Sequence, residues 1–159
     1  MKNIYKSFFI FALFLLCACG YSPLYKMQKK NFNIAEIQSN NKNNYYYLLK
    51  NSLKPYTKDN QTDLKNVIII ASLSKDKKIL SKDTKGNPLV YSLEIILNME
   101  TFHNDNLILN KTIRKKFKYN HKSEVFDLNR YEENIEKNLI KSISDDLIFL
   151  ISKSIEENY

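Results

Sequence analysis

The chain has 159 residues, a formal net charge of +8 and a mean hydropathy of −0.44. This length suits one modest domain with a real core, and two cysteines are too few for a disulfide-built scaffold. All but two of the 25 basic residues are lysines, so the charge by itself does not indicate a nucleic-acid partner.

The first residues have the pattern of an export signal. Two lysines, Lys2 and Lys6, precede an uninterrupted apolar run over residues 8–16. A membrane-spanning helix needs roughly 20 apolar residues, whereas a secretory signal has roughly 7–15 followed by small residues at the cleavage site. We therefore expect residues 1–18 to be a signal peptide. Export makes nucleic acid an unsuitable partner and an anionic lipid a suitable one.

The residues that follow resemble the site read by lipoprotein signal peptidase. The defining positions −3, −1, +1 and +2 are occupied by Leu16, Ala18, Cys19 and Gly20. In that motif the cysteine sulfur carries a diacylglyceryl group and the amine freed by cleavage is acylated, and two or more chains anchor stably. We expect this covalent lipid on Cys19 and no other cofactor or metal. Cys17 would leave with the signal, so no disulfide within the chain is expected.

The first elements after the signal are predicted to be a strand and a helix. Apolar residues alternate over 31–37, which is typical of a strand. Capping side chains at 39–41 precede apolar residues at three- and four-residue steps from Tyr45 to Leu53, which predict a helix. Pro55 should end it, because proline lacks an N–H and clashes with the preceding turn.

A second strand is predicted from a short β-branched run. Residues 66–73 are almost all apolar, which favours a strand buried on both faces and extending towards Leu80. Turn-forming residues then fill 83–88. This segment should connect the second strand to a third.

Period-two alternation predicts an antiparallel hairpin. The apolar face of its first strand has Leu89, Tyr91, Leu93, Ile95, Leu97 and Met99. A polar turn over 103–106 follows. The apolar face of the second strand is predicted to have Leu107, Leu109, Ile113, Phe117 and Tyr119, and its polar face Asn110, Thr112, Arg114, Lys116 and Lys118.

A long amphipathic helix should close the chain. Asn129 is a candidate cap, with Glu132 three residues on as in a capping box. The apolar stripe falls at four-residue steps, at Ile135, Leu139, Ile143, Leu147, Ile151 and Ile155. The order β-α-β-β-β-α predicts an α+β two-layer domain over residues 31–159, with both helices on one face of a four-stranded mixed sheet. Residues 19–30 would be a lipidated tether.

The sequence that begins at the expected lipidated cysteine, C-G-Y-S-P-L-Y over residues 19–25, resembles the LPS-assembly lipoprotein family (LptE). The element order over the rest of the chain is also similar to that family. Further similarity lies in the turn with Gly86 that leads into Tyr91-Ser92-Leu93, and in Asn138-Leu139 of the closing helix.

The resemblance implies a non-enzymatic lipoprotein that partners the LptD β-barrel and assists lipopolysaccharide transport and assembly. It also implies a location on the periplasmic face of the cell outer membrane, with which Gly20 at +2 agrees. The alternative is an outer-membrane lipoprotein that serves as a pilot or accessory module for another envelope machine, such as a secretin or a division complex.

Two basic clusters are candidate sites for lipopolysaccharide phosphates. The first comprises Arg114, Lys115, Lys116 and Lys118, where arginine would give bidentate contacts and the lysines point charges. The second comprises Lys75, Lys77, Lys78, Lys82 and Lys85. A solvated lysine-rich surface is the alternative explanation for both clusters.

Catalysis is not expected. There is no HExxH, no phosphate-binding glycine loop and no serine elbow, and His103 and His121 lie in or beside predicted turns. The carboxylate pairs Glu132-Glu133 and Asp145-Asp146 are expected on the polar side of the last helix or at its cap.

Overall fold

The computed structural model describes residues 31–57 and 64–158. The predicted tether and signal peptide lie outside these residues. The elements are β1 (Phe32–Gln38), α1 (Asn44–Leu53) with a 3-10 turn (Lys54–Tyr56), β2 (Lys65–Lys82), β3 (Pro88–His103), β4 (Asn106–Asn120) and α2 (Val125–Asn158).

The four strands form one mixed sheet in the order β1-β2-β3-β4. β1 lies parallel to β2, as the intervening helix α1 requires, while β2, β3 and β4 are successive antiparallel neighbours. Both helices cover the same face, which we call the inner face, and the opposite face is called the open face. The predicted α+β two-layer architecture is confirmed.

Turn chemistry fixes the two hairpins. In the β2–β3 turn, Asp83 Oδ1 accepts hydrogen bonds from the backbone N–H groups of Lys85 (2.8 Å) and Asn87 (2.7 Å). Gly86 in the same turn has φ +87°, where a side chain would be strained. The β3–β4 turn is tight: Asn104 and Asp105 both have positive φ, as a type I′ hairpin turn demands.

Both helices begin elsewhere than predicted. α1 is capped by Asn43, whose Oδ1 accepts from Tyr46 N at 3.0 Å, and not by residues 39–41. There Ser39 instead closes a local turn with Asn41. The helix does end at Leu53, as predicted, with the 3-10 turn following it.

The cap predicted for α2 at Asn129 is wrong, because the helix already begins at Val125. Leu128 N donates to Glu124 O at 3.0 Å, and the Leu128 side chain is buried. Burying this leucine favours an additional helical turn before Asn129. Glu132 is therefore inside the helix and is itself buried.

The core lies between the inner face and the two helices. Its fully buried side chains include Ile34, Leu49, Leu53, Ile69, Leu73, Leu93, Ile95, Leu97, Ile140, Ile143 and Leu147. The odd-numbered face predicted for β3 is confirmed from Leu93 to Met99, whereas Leu89 is exposed beyond the helical layer.

β2 is buried on one face and not on both. Val67 and Ile69 are inaccessible on the inner face, while Ile68 and Ile70 are only half-buried on the open one. The β-branched run therefore predicted the strand correctly, but the prediction that both of its faces are buried is wrong, because both helices pack on the same side of the sheet.

The predicted faces of β4 need one correction. A register shift pairs Thr101 with Leu109 but Phe102 with Leu107. Directly paired residues share a face, so this bulge places Leu107 on the open face beside Phe102 and leaves it exposed. Ile113 and Tyr119 are buried as predicted, whereas Phe117 on the same inner face is exposed.

Candidate binding surfaces

Three basic side chains form a row on the open face of β4. Arg114, Lys116 and Lys118 are alternate residues and all three are exposed. Such residues are about 7 Å apart along a strand. Their direct neighbours on β3 are Ile96, Glu94 and Ser92. We call Arg114, Lys116 and Lys118 the cationic row.

Lys115 does not belong to this row. It lies on the inner face, where its Nζ is 2.6 Å from Asp146 Oδ2 of α2. Strand alternation thus separates one of the four predicted phosphate-binding residues from the other three. Its charge is also compensated by the helix.

The open face changes character along its length. The row of short polar groups next to Arg114 includes Asn98 and Thr112, whose hydroxyl donates to Asn98 Oδ1 at 2.7 Å. Beyond it, near the β3–β4 turn, the open face carries the apolar residues Ile68, Ile70, Phe102 and Leu107. The cationic row therefore lies at the end nearer the β2–β3 turn.

The second predicted basic cluster is divided in the same way. Lys75 and Lys77 point to the inner face, while Lys78 lies on the open face with its Nζ 2.8 Å from Asp76 Oδ2. Lys82 ends β2, and Lys85 lies in the turn; both are exposed. These five lysines do not form one surface.

The inner face contains an ion network that sequence reasoning missed. Glu132 Oε1 accepts from Lys77 Nζ at 2.5 Å and from Tyr119 Oη at 2.6 Å. One turn further along α2, Glu136 accepts from Lys75 Nζ at 2.8 Å. Both carboxylates belong to buried residues.

The hydrogen bonds of this network shift the pKa values of Glu132 and Tyr119. Burial pushes the pKa of Glu132 upwards, but the hydrogen bonds from Lys77 and Tyr119 outweigh it and hold the pKa below its ordinary value. Burial and the bond to Glu132 raise the pKa of Tyr119, which therefore remains a protonated donor. The Lys77 ammonium also lies 4.5 Å from the centre of the Tyr91 ring.

A sequence signal for this network did exist. Lys75 and Lys77 continue the odd-numbered parity of the buried residues Val67 to Leu73. Glu132 and Glu136 are four residues apart and so share one side of α2. The sequence therefore allows Lys75 and Lys77 to pair with Glu132 and Glu136. Whether the ammonium groups reach the carboxylates depends on how α2 packs on the sheet, which the sequence pattern does not give.

A shallow groove of about 440 Å³ separates the exposed edges of α1 and α2. Its lining residues are Leu48, Asn51, Ser52, Lys137, Asn138, Ile140, Lys141, Ser144 and Asp145. It is open to solvent, and although most of these residues are polar, the surface that they present to the groove is mainly apolar.

The proposed lipidation site, with its recognition residues Leu16, Ala18, Cys19 and Gly20, lies outside the described residues. Within residues 31–57 and 64–158, neither helix is both long and apolar enough to cross a membrane. The same residues contain no group of three side chains that could hold a metal ion.

Several solved structures that have a similar fold are named as bacterial lipoproteins. Rare lipoprotein B from Shewanella oneidensis is 18% identical with a TM-score of 0.59, covering 79% of this chain and 98% of that one. Lipoprotein B from Nitrosomonas europaea is 13% identical with a TM-score of 0.58, covering 85% and 97%. A minor lipoprotein from Acinetobacter baumannii is 14% identical with a TM-score of 0.57, covering 77% and 92%.

At these identities the likeness shows a shared fold. No protein-family model matches the chain, and no curated protein matches it by sequence.

Proposed function

We propose that this chain is an outer-membrane lipoprotein that partners an LptD-type β-barrel and assists lipopolysaccharide transport and assembly. The observation that carries the proposal is the fold, which spans almost the whole length of the Shewanella oneidensis lipoprotein B structure. The C-G-Y-S-P-L-Y segment and the lipobox-like residues before it support the same function independently.

Lipidation of Cys19 is the first part of the proposal. The thiolate is the nucleophile that takes the diacylglyceryl group, and the new amine takes a further acyl chain. Mass spectrometry of the mature N-terminus tests this directly. A first residue Cys19 with three acyl chains is expected, while unmodified Cys19 or a retained signal peptide would refute the anchor.

The partner is tested by affinity purification from membranes through a tag on the C-terminus. Co-purification of a large β-barrel protein supports the proposed function. A secretin ring or a division complex in its place would support the alternative, a pilot or accessory lipoprotein. Catalysis has no part in either function.

Direct contact with lipopolysaccharide is proposed for the cationic row. The spacing of its side chains suits several phosphate oxygens, and Arg114 can bind a phosphate bidentately. The sequence groups Lys115 with these residues, but its pairing with Asp146 makes it the weakest candidate of the four. The phosphate-binding role is therefore assigned to Arg114, Lys116 and Lys118.

The test replaces Arg114, Lys116 and Lys118 with serine and measures lipopolysaccharide binding by the full chain in detergent. A matched control replaces Lys50, Lys137 and Lys141, which are equally exposed but lie on the helices. Binding should weaken at least tenfold in the first variant only. Equal loss in both variants would indicate general charge attraction and refute a specific site.

A further inference from the structure

β4 is an edge strand whose outer backbone groups face away from the sheet. β3 is its only neighbour among the described strands. In an antiparallel pair, residues whose backbones are hydrogen bonded to the neighbour alternate with residues whose backbones are not. Which residues point outwards therefore depends on the register.

The register can be read from one hydrogen bond. His121 N donates to Leu89 O at 2.8 Å, so this pair is hydrogen bonded across β3 and β4. Counting by two residues makes Tyr91 and Tyr119 the next such pair. The even-numbered residues of β4 therefore direct their N–H and C=O groups outwards, from Asn110 to Asn120.

One end of this edge is already occupied. Ser154 Oγ donates to Ile108 O at 2.6 Å, so α2 covers the strand beside the bulge. No comparable contact covers positions 110–120 among the described residues. The accessible edge is thus about eleven residues long, enough for a complete added strand.

The side chains beside this edge differ between the two faces. On the open face, the cationic row belongs to the same residues whose backbone groups point outwards. On the inner face, Phe117 is 44% exposed and Phe149 of α2 is 49% exposed. Phe149 lies one turn from Asp146, which contacts Lys115 of β4.

We propose that the β4 edge binds an extended segment of another protein in which acidic and apolar residues alternate. Its backbone would continue the sheet, its carboxylates would lie beside the cationic row, and its apolar side chains would lie beside Phe117 and Phe149. This proposal does not rest on the proposed function, because backbone pairing requires neither lipopolysaccharide nor a particular barrel.

Two segments of the chain itself, β4 of a second copy and the tether, are unsuitable partners for the β4 edge because of their charge. A second copy paired through its own β4 would bring two cationic rows together on one face, and like charges opposite one another are destabilising. The tether sequence has Lys26, Lys29 and Lys30 and no acidic residue. An acidic strand from a different protein would complement the positive charge of the cationic row.

The free edge of β2 is a weaker candidate for the same role. Its carbonyl at Leu73 already accepts from Asn43 Nδ2 at 2.9 Å. Beyond this point Lys75 and Lys77 are paired with carboxylates of α2. Neither lysine is available to a partner without breaking the inner network.

The test uses a nine-residue peptide with blocked termini, glutamate at alternate positions and valine or leucine between them. Binding to the full chain in detergent is followed by hydrogen exchange at single amides. Exchange at the amides of Thr112, Arg114 and Lys116 should slow at least tenfold, while the odd-numbered amides of β4 should not change. A peptide with lysine in place of glutamate should not bind.

Two matched variants separate backbone pairing from charge. Arg114→Ala removes the charge and keeps the N–H, whereas Arg114→Pro removes both and is tolerated only because the site is on an edge. The proline variant should bind the peptide at least tenfold more weakly than the alanine variant. Lipopolysaccharide binding should be equal in the two, which distinguishes this proposal from the phosphate site.

A second measurement needs no protein variant. The same acidic peptide with N-methyl groups on its glutamate amides, which are the amides that would face β4, should lose at least tenfold in affinity for the native chain. Retained binding by this peptide, or binding of the parent peptide without slowed exchange at β4, would refute the proposal. Absence of parent-peptide binding at millimolar concentration in low salt would also refute it.

Discussion

The inner face has two halves that are built differently. In one half, β1 and the first part of β2 lie under α1 and α2, and the interior is mainly apolar, with side chains such as Ile69 and Leu73. In the other half α1 contributes only its first turn, since its cap residue Asn43 bonds to Leu73 of β2 and Tyr45 lies over Lys75. There Lys75 and Lys77 extend across the sheet to the carboxylates of α2.

This difference shows how a sheet can extend beyond its helical cover. A leucine at position 75 or 77 would be partly exposed, since α2 covers this part of β2 and α1 reaches it only with Tyr45, whose ring centre is 5.9 Å from Lys75 Nζ. A lysine can cover the sheet with its methylene groups and place the ammonium at a carboxylate. The tyrosine rings of Tyr91 and Tyr119, whose centres are 5.5 Å apart, fill the remaining space.

The largest expected effect is in the apolar half of the structure. Leu97→Ala should lower the free energy of unfolding by about 3 kcal/mol, because it removes a fully buried side chain and leaves a cavity. Urea denaturation measures this change. Leu80→Ala, at an exposed position of β2, is the control and should change stability by less than about 0.5 kcal/mol. Similar losses in both would contradict the assignment of the core.

In the charged half, Glu132→Ala should cost about 2 kcal/mol, because Lys77 and Tyr119 lose their common acceptor. The double variant Lys77→Met/Glu132→Leu should recover part of that loss, since replacing both members of an ion pair leaves no unpaired charge. The same denaturation experiment measures both. A double variant less stable than Glu132→Ala would show that the ion pair itself stabilises the fold.

Acidification should weaken the charged half specifically. The folded pKa of Glu132 lies below its ordinary value of 4.5, so the stabilisation from its charged form is complete above that pH. It is lost as the pH falls through the folded pKa. Glu132→Gln should show a smaller decrease in stability between pH 5 and lower pH than the wild type. Identical pH profiles would mean that other carboxylates account for all the pH dependence.

The smallest expected effect concerns a polar atom in the apolar half. Among the described residues, the buried Thr101 Oγ1 is an atom without a hydrogen-bond partner. Thr101→Val preserves the shape and removes the unsatisfied hydroxyl, so stability should increase by about 1 kcal/mol. Thr112→Val provides a contrast, because the Thr112 hydroxyl donates to Asn98 and its loss should not stabilise the protein. Thermal unfolding of both variants tests this difference.

Local patterns predicted most of the architecture. The order of elements, the end of α1 at Leu53 and the alternation of β3 depend on periodicity and turn chemistry, which act between residues close in sequence. The same alternation predicted that Arg114, Lys116 and Lys118 share a face. It equally implied that Lys115 lies on the opposite face, so proximity in sequence alone did not predict which basic residues lie together.

What the sequence determined by itself was therefore the order of strands and helices, the apolar stripes and the resemblance carried by residues 19–25. Tertiary structure decided the rest. The bulge beside Ile108, the pairing of Glu132 with Lys77 and the free edge of β4 each depend on where distant segments meet. Contacts of this kind are not encoded in any local period, because they depend on how the helices pack on a twisted sheet.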